Sequence, residues 1–410
     1  MDYRELARHR LPRFLFEYID GGSCAEVTLR RNVSDLEAIA LRQRVMRDVS
    51  VLDLTTELFG TLQAMPLALG PVGIAGLNAR RGEVQAARAA ERAGVPFCLS
   101  TVSACPLAEV AAAVQRPFWF QLYMLRDRTF MRDLLAEAAR HCSVLVFTVD
   151  LPVSGSRYRD VRSGFADSLG LMGTLRRAGQ ALMRPRWAWD VGVRGRPFAL
   201  GNLTSIMGRH RAMADYFGWT RENFDASVTW KDLDWVRQHW RGPLVIKGVL
   251  DPGDALEAAQ VGADGIVVSN HGGRQLDHAI GSLDVLPEVV AVVHGRVPVI
   301  VDGGFMRGTD ILKAIAVGAS AVAAGRMHAW ALGAGGVPAL VRMLELIENE
   351  VVTSMGLLGV TSLAQLNPSY LRAADASIGR GAFPHLERLK AARPQAERNG
   401  FTERESSPAG

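Results

Sequence analysis

Lysine is nearly missing from this sequence. All but four of its 47 basic residues are arginine, the exceptions being Lys231, Lys247, Lys313 and Lys390. The imbalance reads as genome bias, and a net charge of +5 with acids interspersed is too mild to argue for a nucleic-acid partner. Cysteine is scarce as well. Cys24, Cys98, Cys105 and Cys142 show no CxxC spacing, which indicates neither a zinc site nor a disulfide framework and suits a reduced cytoplasm. Long apolar runs are absent too: none reaches the roughly 18 uninterrupted residues a spanning helix needs. The start, "DYRELARHRLPRFLFEYIDGG", is charged and periodic and lacks the apolar stretch of a signal peptide. No membrane crossing is therefore expected.

What the sequence does have is apolar bulk, 48% of its residues, enough for a large core everywhere except the loose polar end "AERNGFTERESSPAG". Short β-rich runs recur: "PLALGP", "PFCLS", "PFWFQLY", "VLVFTVD", "PLVIKG", "GIVVSN", "PVIVDGG" and "AVAAGR". Between most of them lie stretches such as "RGEVQAARAAERAG" and "GTDILKAIAVG", apolar at three- and four-residue spacing with a glycine near the end. Continuous apolar strands are what a parallel sheet covered on both faces requires. Eight strand–helix units predict an α/β fold, a (β/α)8 TIM barrel with an N-terminal helical segment. An open doubly wound sheet rarely needs so many, and no GxGxxG follows the first strand. The expected organisation is one barrel domain over 1–375, interrupted after the fourth strand by a long insertion at about 157–230, with a partly disordered extension over 376–410.

Catalytic groups of such barrels sit where strands run into their following loops. The strand ends here carry Pro71-Val72-Gly73, Ser100, Gln121 to Tyr123, Thr148 to Asp150, Lys247, Ser269 to His271, Asp302-Gly303-Gly304 and Gly325-Arg326. "DGG" and "GR" in the seventh and eighth units offer bare backbone N–H groups and a guanidinium where barrels commonly bind phosphate. Lys247, closing an apolar strand, suits a developing anion or a Schiff base. His271 can accept a proton at neutral pH, Arg274 can clamp a carboxylate, and Asp150 can stabilise the resulting imidazolium, a combination suited to deprotonating a small acid.

In order along the chain, "LPRFLFEYIDGG", "FQLY", "FTVD", "VIKG", "SNHGGRQLD", "VDGG" and "GR" resemble the FMN-dependent α-hydroxy-acid dehydrogenases and oxidases, with the closest likeness to bacterial L-lactate dehydrogenases. The likeness runs to about Leu371. It implies FMN as cofactor and His271 as the base. It further implies Arg157 and Arg274 on the substrate carboxylate, Tyr18 and Tyr123 as hydrogen-bonding partners of the substrate, Asp150 paired with His271, and Lys247 beside the N1–C2=O edge of the flavin. FMN contacts are implied at Pro71, Val72, Gly73, Ser100, Gln121, Thr148, Lys247, Ser269, Asp302, Gly303, Gly304, Arg307, Gly325 and Arg326, and no metal is implied. One departure stands out: "DGGFMRG" puts Met306 where the family usually has arginine, with Arg307 next.

The resemblance implies oxidation of an L-2-hydroxy acid, L-lactate first, to the 2-oxo acid, with hydride passing to flavin N5. A carbanion route would use the same residues. L-mandelate or a larger acid, or oxygen as oxidant, are the alternatives, and Val102, standing where some relatives place a bulky aromatic, argues against a pocket narrowed to glycolate. An FMN barrel isomerase and a non-catalytic flavoprotein are further readings that "NHGGR" and the complete set of matched residues disfavour. The insertion carries eleven arginines from Arg157 to Arg211 and mixes Leu, Met and Trp with them in "SLGLMGTLRRAGQALMRPRWAW". That mixture suits either a lid over the active site or peripheral contact with the inner face of an anionic membrane, with quinone as electron acceptor. A homotetramer is the assembly the family implies.

Overall fold

The structure, a computed structural model, describes residues 3–166, 170–197, 199–207 and 216–373. Eight parallel strands form the barrel: β1 (Leu67–Leu69), β2 (Cys98–Ser100), β3 (Phe118–Leu122), β4 (Cys142–Thr148), β5 (Leu244–Val249), β6 (Gly265–Val268), β7 (Val299–Asp302) and β8 (Ala321–Ala324). β8 pairs with β1, and a parallel bridge from Leu69 to Phe97, with Leu69 N–H donating to Pro96 O at 2.8 Å, joins β1 to β2. The expected TIM barrel is thus the observed one.

Its strands are largely apolar, apart from the ends that carry Ser100, Gln121, Thr148, Lys247 and Asp302, because each has two covered faces. One set of side chains, among them Trp119, Val146, Val267 and Ile300, fills the interior, while Leu99, Phe120, Phe147 and Ile266 face the surrounding helices. The hairpin Thr56–Leu58 and Thr61–Gln63 closes the N-terminal end of the barrel. At its tip Phe59 meets Trp119 edge-on at 5.5 Å and lies under Gly265, where a Cβ would come within 2.7 Å of the ring.

Three helices precede the barrel: α1 (Tyr3–Arg10), α2 (Arg13–Asp20) and α3 (Val27–Glu37). The outer layer includes α4 (Gly82–Ala93), α5 (Leu107–Ala111) and α6 (Arg128–His141). The insertion between β4 and β5 holds α7 (Tyr158–Ser163), α8 (Gly170–Leu182), a π-helical turn at Ala188–Gly195, and α9 (Tyr216–Asn223). It returns through α10 (Asp232–His239), which packs on α6. Then come α11 (Pro252–Gln260), α12 (Ser282–Val293), α13 (Gly308–Val317) and α14 (Arg326–Leu358). α14 is long and apolar enough to span a bilayer, but its backbone breaks at Gly335 and Gly336, and Trp330, Leu340, Leu344 and Val351 are buried in the core. Ser168, Leu169, Arg209 and Arg211 of the insertion, and everything beyond Ala373, lie outside the described residues.

α8 is turned inside out relative to an ordinary surface helix. Its buried anchor is polar: Gln180 Oε1 accepts from Phe14 N–H at 2.8 Å and its Nε2 donates to Ser163 O at 3.0 Å. Met172, Leu175 and Leu182, spaced to share one face, are exposed, as are Met183 and Trp189 just beyond.

Candidate active site

The loop after β6 turns through three consecutive left-handed residues, His271 (φ 57°), Gly272 (φ 62°) and Gly273 (φ 73°). That region costs a residue with a Cβ free energy, although histidine is among those found there more often, so its neighbours help hold it there. They bring His271 Nδ1 to 2.9 Å from Asp150 Oδ1, while Tyr123 Oη lies 3.5 Å from Nε2. Asp150 reaches this position because Gly248 (φ 109°) has no side chain: a Cβ there would come within 2.6 Å of Asp150 Cβ. Burial pushes the Asp150 carboxyl up, but its electrostatic interaction and hydrogen bond with His271 and the charge of Lys247 outweigh it and hold the group below its usual range.

Lys247 is buried at the end of β5, with Nζ donating to Ser269 Oγ at 2.6 Å and paired with Asp302 Oδ2 at 2.9 Å. Burial alone would lower its pKa; Asp302 and Asp150 reverse that, so the ammonium stays charged. Ser269 Oγ also accepts from His271 N–H at 3.0 Å, which links lysine and base through one hydroxyl.

The arginines converge on α2. Arg274 Nη1 donates to Tyr18 O at 2.7 Å and Gly21 O at 2.8 Å, and Arg326 Nη2 donates to the same Gly21 O at 2.9 Å. The last carbonyls of a helix carry partial negative charge and so receive these cations well. The Arg274 guanidinium stands 4.9 Å over the Tyr18 ring and that of Arg157 5.9 Å. Arg157 Nε lies 3.5 Å from Asp160 Oδ2, whose carboxyl is pushed up by burial. Arg326 makes no ion pair among the described residues; burial, reinforced by Arg274, pushes it down to about 9.

One cavity at the C-terminal mouth of the barrel is lined by Tyr18, Tyr123, Arg157, His271 and Arg274 together with Pro71, Val72, Gly73, Thr148, Lys247, Asp302, Gly303, Gly304, Gly325 and Arg326. Ser100, Gln121 and Ser269 sit one layer beneath it, with Ser100 Oγ donating to Gln121 Oε1 at 3.1 Å. Gln121 Nε2, Thr148 Oγ1, Asp302 Oδ1 and Arg326 Nε are buried without a protein partner, and a Cβ at Gly325 would meet only open space. A polar planar ring system with a phosphorylated chain fits these donors and acceptors: amide and hydroxyl for the ring edge, an ammonium for its anionic side, a guanidinium for the phosphate.

Arg307 is not brought into this cavity. Its side chain is 71% exposed and pairs with Glu350 at 3.1 Å, because the capping of α13 by Asp310 turns residue 307 outward. Met306 lines the wall instead. The glycines also answer to packing. Gly273, Gly303 and Gly304 do have positive φ, but the space a Cβ would take is filled by protein, Leu29 N at 2.5 Å and Asn32 O at 2.4 Å for Gly273 and Gly304, so α3 accounts for their lack of a side chain. Residues the motifs did not point to also line it, among them Leu151, Ser154, Thr220 and Phe224. Thr220 belongs to α9 and Phe224 follows its last residue, bridging to Leu125, and neither carries a motif; only the periodicity of that helix could have raised Thr220.

The chain is similar to known proteins over most of its length. The family described as FMN-dependent dehydrogenase matches residues 7–373. The L-lactate dehydrogenase of Caulobacter sp. (strain K31) is 56% identical over 375 residues, covering 91% of this chain and 98% of the relative. That of Xanthomonas oryzae pv. oryzae (strain PXO99A) is 55% identical over 371 residues, 90% and 95% of the two chains. Among solved structures, the monotopic membrane protein (S)-mandelate dehydrogenase superposes with a TM-score of 0.85 at 34% identity, covering 91% of this chain and 98% of that one. A mandelate oxidase with (S)-4-hydroxymandelic acid gives 0.78 at 38% identity, covering 90% and 97%.

Proposed function

The chain belongs to the FMN-dependent dehydrogenase family, and from that premise we propose that it oxidises an L-2-hydroxy acid, L-lactate foremost, to the 2-oxo acid. The observation that carries the reading is the His271–Asp150 pair facing the same cavity as Arg157, Arg274 and buried Lys247. Bound FMN supplies the two-electron acceptor; Gln121, Thr148, Lys247 and Arg326 are the side chains that would hold it. Arg157 and Arg274 take the substrate carboxylate, and Tyr18 and Tyr123 orient the hydroxyl. His271 removes the hydroxyl proton at Nε2, since Nδ1 is committed to Asp150, which stabilises the cation formed. Lys247 keeps a positive charge beside the edge where negative charge gathers.

The identity of the curated relatives favours lactate. The second reading, a mandelate-sized acid, is favoured by the apolar wall of Val102, Leu151, Phe224 and Met306 and by the mandelate enzymes among the structural neighbours. Contact with the inner face of the cell membrane, with quinone as acceptor, is supported by the outward apolar row of α8 beside Arg176, Arg184 and Arg186 and by the monotopic neighbour. A homotetramer remains part of the proposal through the family resemblance.

The test is anaerobic mixing of the yellow holoprotein with L-lactate, L-mandelate, glycolate and longer 2-hydroxy acids while the flavin band is followed, then reoxidation by quinone or air. Bleaching by L-lactate is expected; no bleaching by any of them would sink the reading. His271→Gln should retain FMN and lose about 100-fold or more in flavin reduction, the scale of a missing general base.

A further inference from the structure

Asn32, in the middle of α3, is 238 residues from Asn270 in sequence and pressed against it in space. The two side chains are 2% and 4% exposed. They form a head-to-head amide pair: Asn32 Nδ2 donates to Asn270 Oδ1 at 2.8 Å, and Asn270 Nδ2 donates to Asn32 Oδ1 at 2.7 Å. Each oxygen is used again. Asn270 Oδ1 accepts Gly273 N–H at 3.0 Å, closing the left-handed run that contains His271, and Asn32 Oδ1 accepts Ser282 N–H at 3.3 Å. Asn270 Nδ2 further donates to Ile280 O at 3.0 Å.

On its other side Asn32 meets the loop after β7. Its side-chain Nδ2 lies 3.1 Å from where a Cβ at Gly303 would stand, and its backbone carbonyl oxygen 2.4 Å from where one at Gly304 would. Residue 32 thus packs against the loop of Asp302, by side chain at Gly303 and by main chain at Gly304, while its amide holds the loop of the base, yet Asn32 does not line the cavity.

We propose that Asn32 is a positioning residue for the reaction: through Asn270 it fixes the turn that aims His271, and through Gly303 and Gly304 it holds the neighbouring cofactor-side loop in register with it. The role rests on the reading of His271 as base. A buried amide pair reinforces the turn: Gly273 N–H is shared between Asn270 Oδ1 and the Asn270 backbone carbonyl oxygen, each at 3.0 Å, so the side chain adds a second hold on the left-handed run that carries His271. Asn270 cannot flip to adapt, because its amide would then face that N–H with another donor. A partner at residue 32 must therefore both donate and accept.

That requirement sets the experiment. Asn32→Asp keeps the shape but, ionised, has no proton to donate to Asn270 Oδ1; protonated, it has one donor and one acceptor, as the amide does. Burial raises a carboxyl's pKa, so protonation falls within reach of mildly acidic buffers. The charged groups on the packed elements, Arg31 and Asp35 on α3, Asp284 on α12 and Asp302 at the end of β7, are the same in the wild type and both variants. Flavin reduction by saturating L-2-hydroxy acid, FMN dissociation by fluorescence and the thermal midpoint are measured for wild type, Asn32→Ala and Asn32→Asp from pH 8 to pH 6.

Asn32→Ala should slow flavin reduction in the FMN-loaded protein about tenfold to a hundredfold, the scale of a small misplacement of a catalytic group, and should weaken FMN binding. Asn32→Asp should be similarly slow at pH 8 and regain rate relative to wild type on acidification. A bleached wild type beside variants that match its rate and its pH slope would overturn the role alone. So would failure of both variants to fold, which would make Asn32 a packing residue. A wild type that no hydroxy acid bleaches would overturn the functional reading and this role with it.

Discussion

Arg326 illustrates how a buried charge can be read. It is held by one carbonyl, Gly21 O, and crowded electrostatically by Arg274, so keeping its charge costs the protein free energy until an anion lies beside it. The phosphate of FMN is such an anion and riboflavin lacks it. FMN should therefore raise the thermal midpoint clearly more than riboflavin does in the wild type, and the gap should close in Arg326→Gln. Equal stabilisation of wild type by the two flavins, read by thermal unfolding at matched saturation, would contradict this. The chemistry of these residues was legible in the sequence: a lysine, a histidine and an arginine at strand ends have few structural uses together. The purpose of the glycines was not. A glycine states only that space or a positive φ is needed, and at Gly273 and Gly304 the occupant of that space is α3, more than 200 residues away.

At the scale of elements, the barrel strands were readable because burial on both faces leaves an unbroken apolar run, and the helices between them because one face stays wet. The insertion resisted because α8 inverts that rule, anchoring Gln180 inward and leaving Met172, Leu175 and Leu182 outward. Composition could suggest either a lid or a membrane contact; the orientation of the row supports lipid as the partner. Vesicles containing anionic lipid should co-sediment with the protein and neutral vesicles much less. Leu175→Glu with Leu182→Glu should weaken binding to anionic vesicles about a hundredfold, given roughly 1.5 kcal/mol for each large side chain withdrawn from an apolar phase, and leave flavin reduction unchanged. Wild-type binding by the double variant would remove α8 from the contact.

Over the whole molecule the two ends of the barrel carry different tasks. Every residue assigned to the reaction lies at the C-terminal mouth, while the opposite end is sealed by a hairpin whose Phe59 rests on Trp119 and under Gly265. Nothing in the run around Phe59 reads as a strand pair from periodicity alone, because its two strands are three residues each. The plug matters because the interior layer directly above it, with Trp119, Val144 and Val245, would otherwise open to water. Phe59→Ala removes a partly buried ring, costing about 2–3 kcal/mol if the hairpin relaxes only in part. The thermal midpoint should drop and, below the transition, flavin reduction by L-lactate should stay within about twofold of wild type, since the end opposite the active site serves stability in this fold. A variant of normal stability would show that the hairpin closes the barrel without supporting it. Normal stability with slow flavin reduction would mean instead that the interior layer transmits the state of the plug to the mouth.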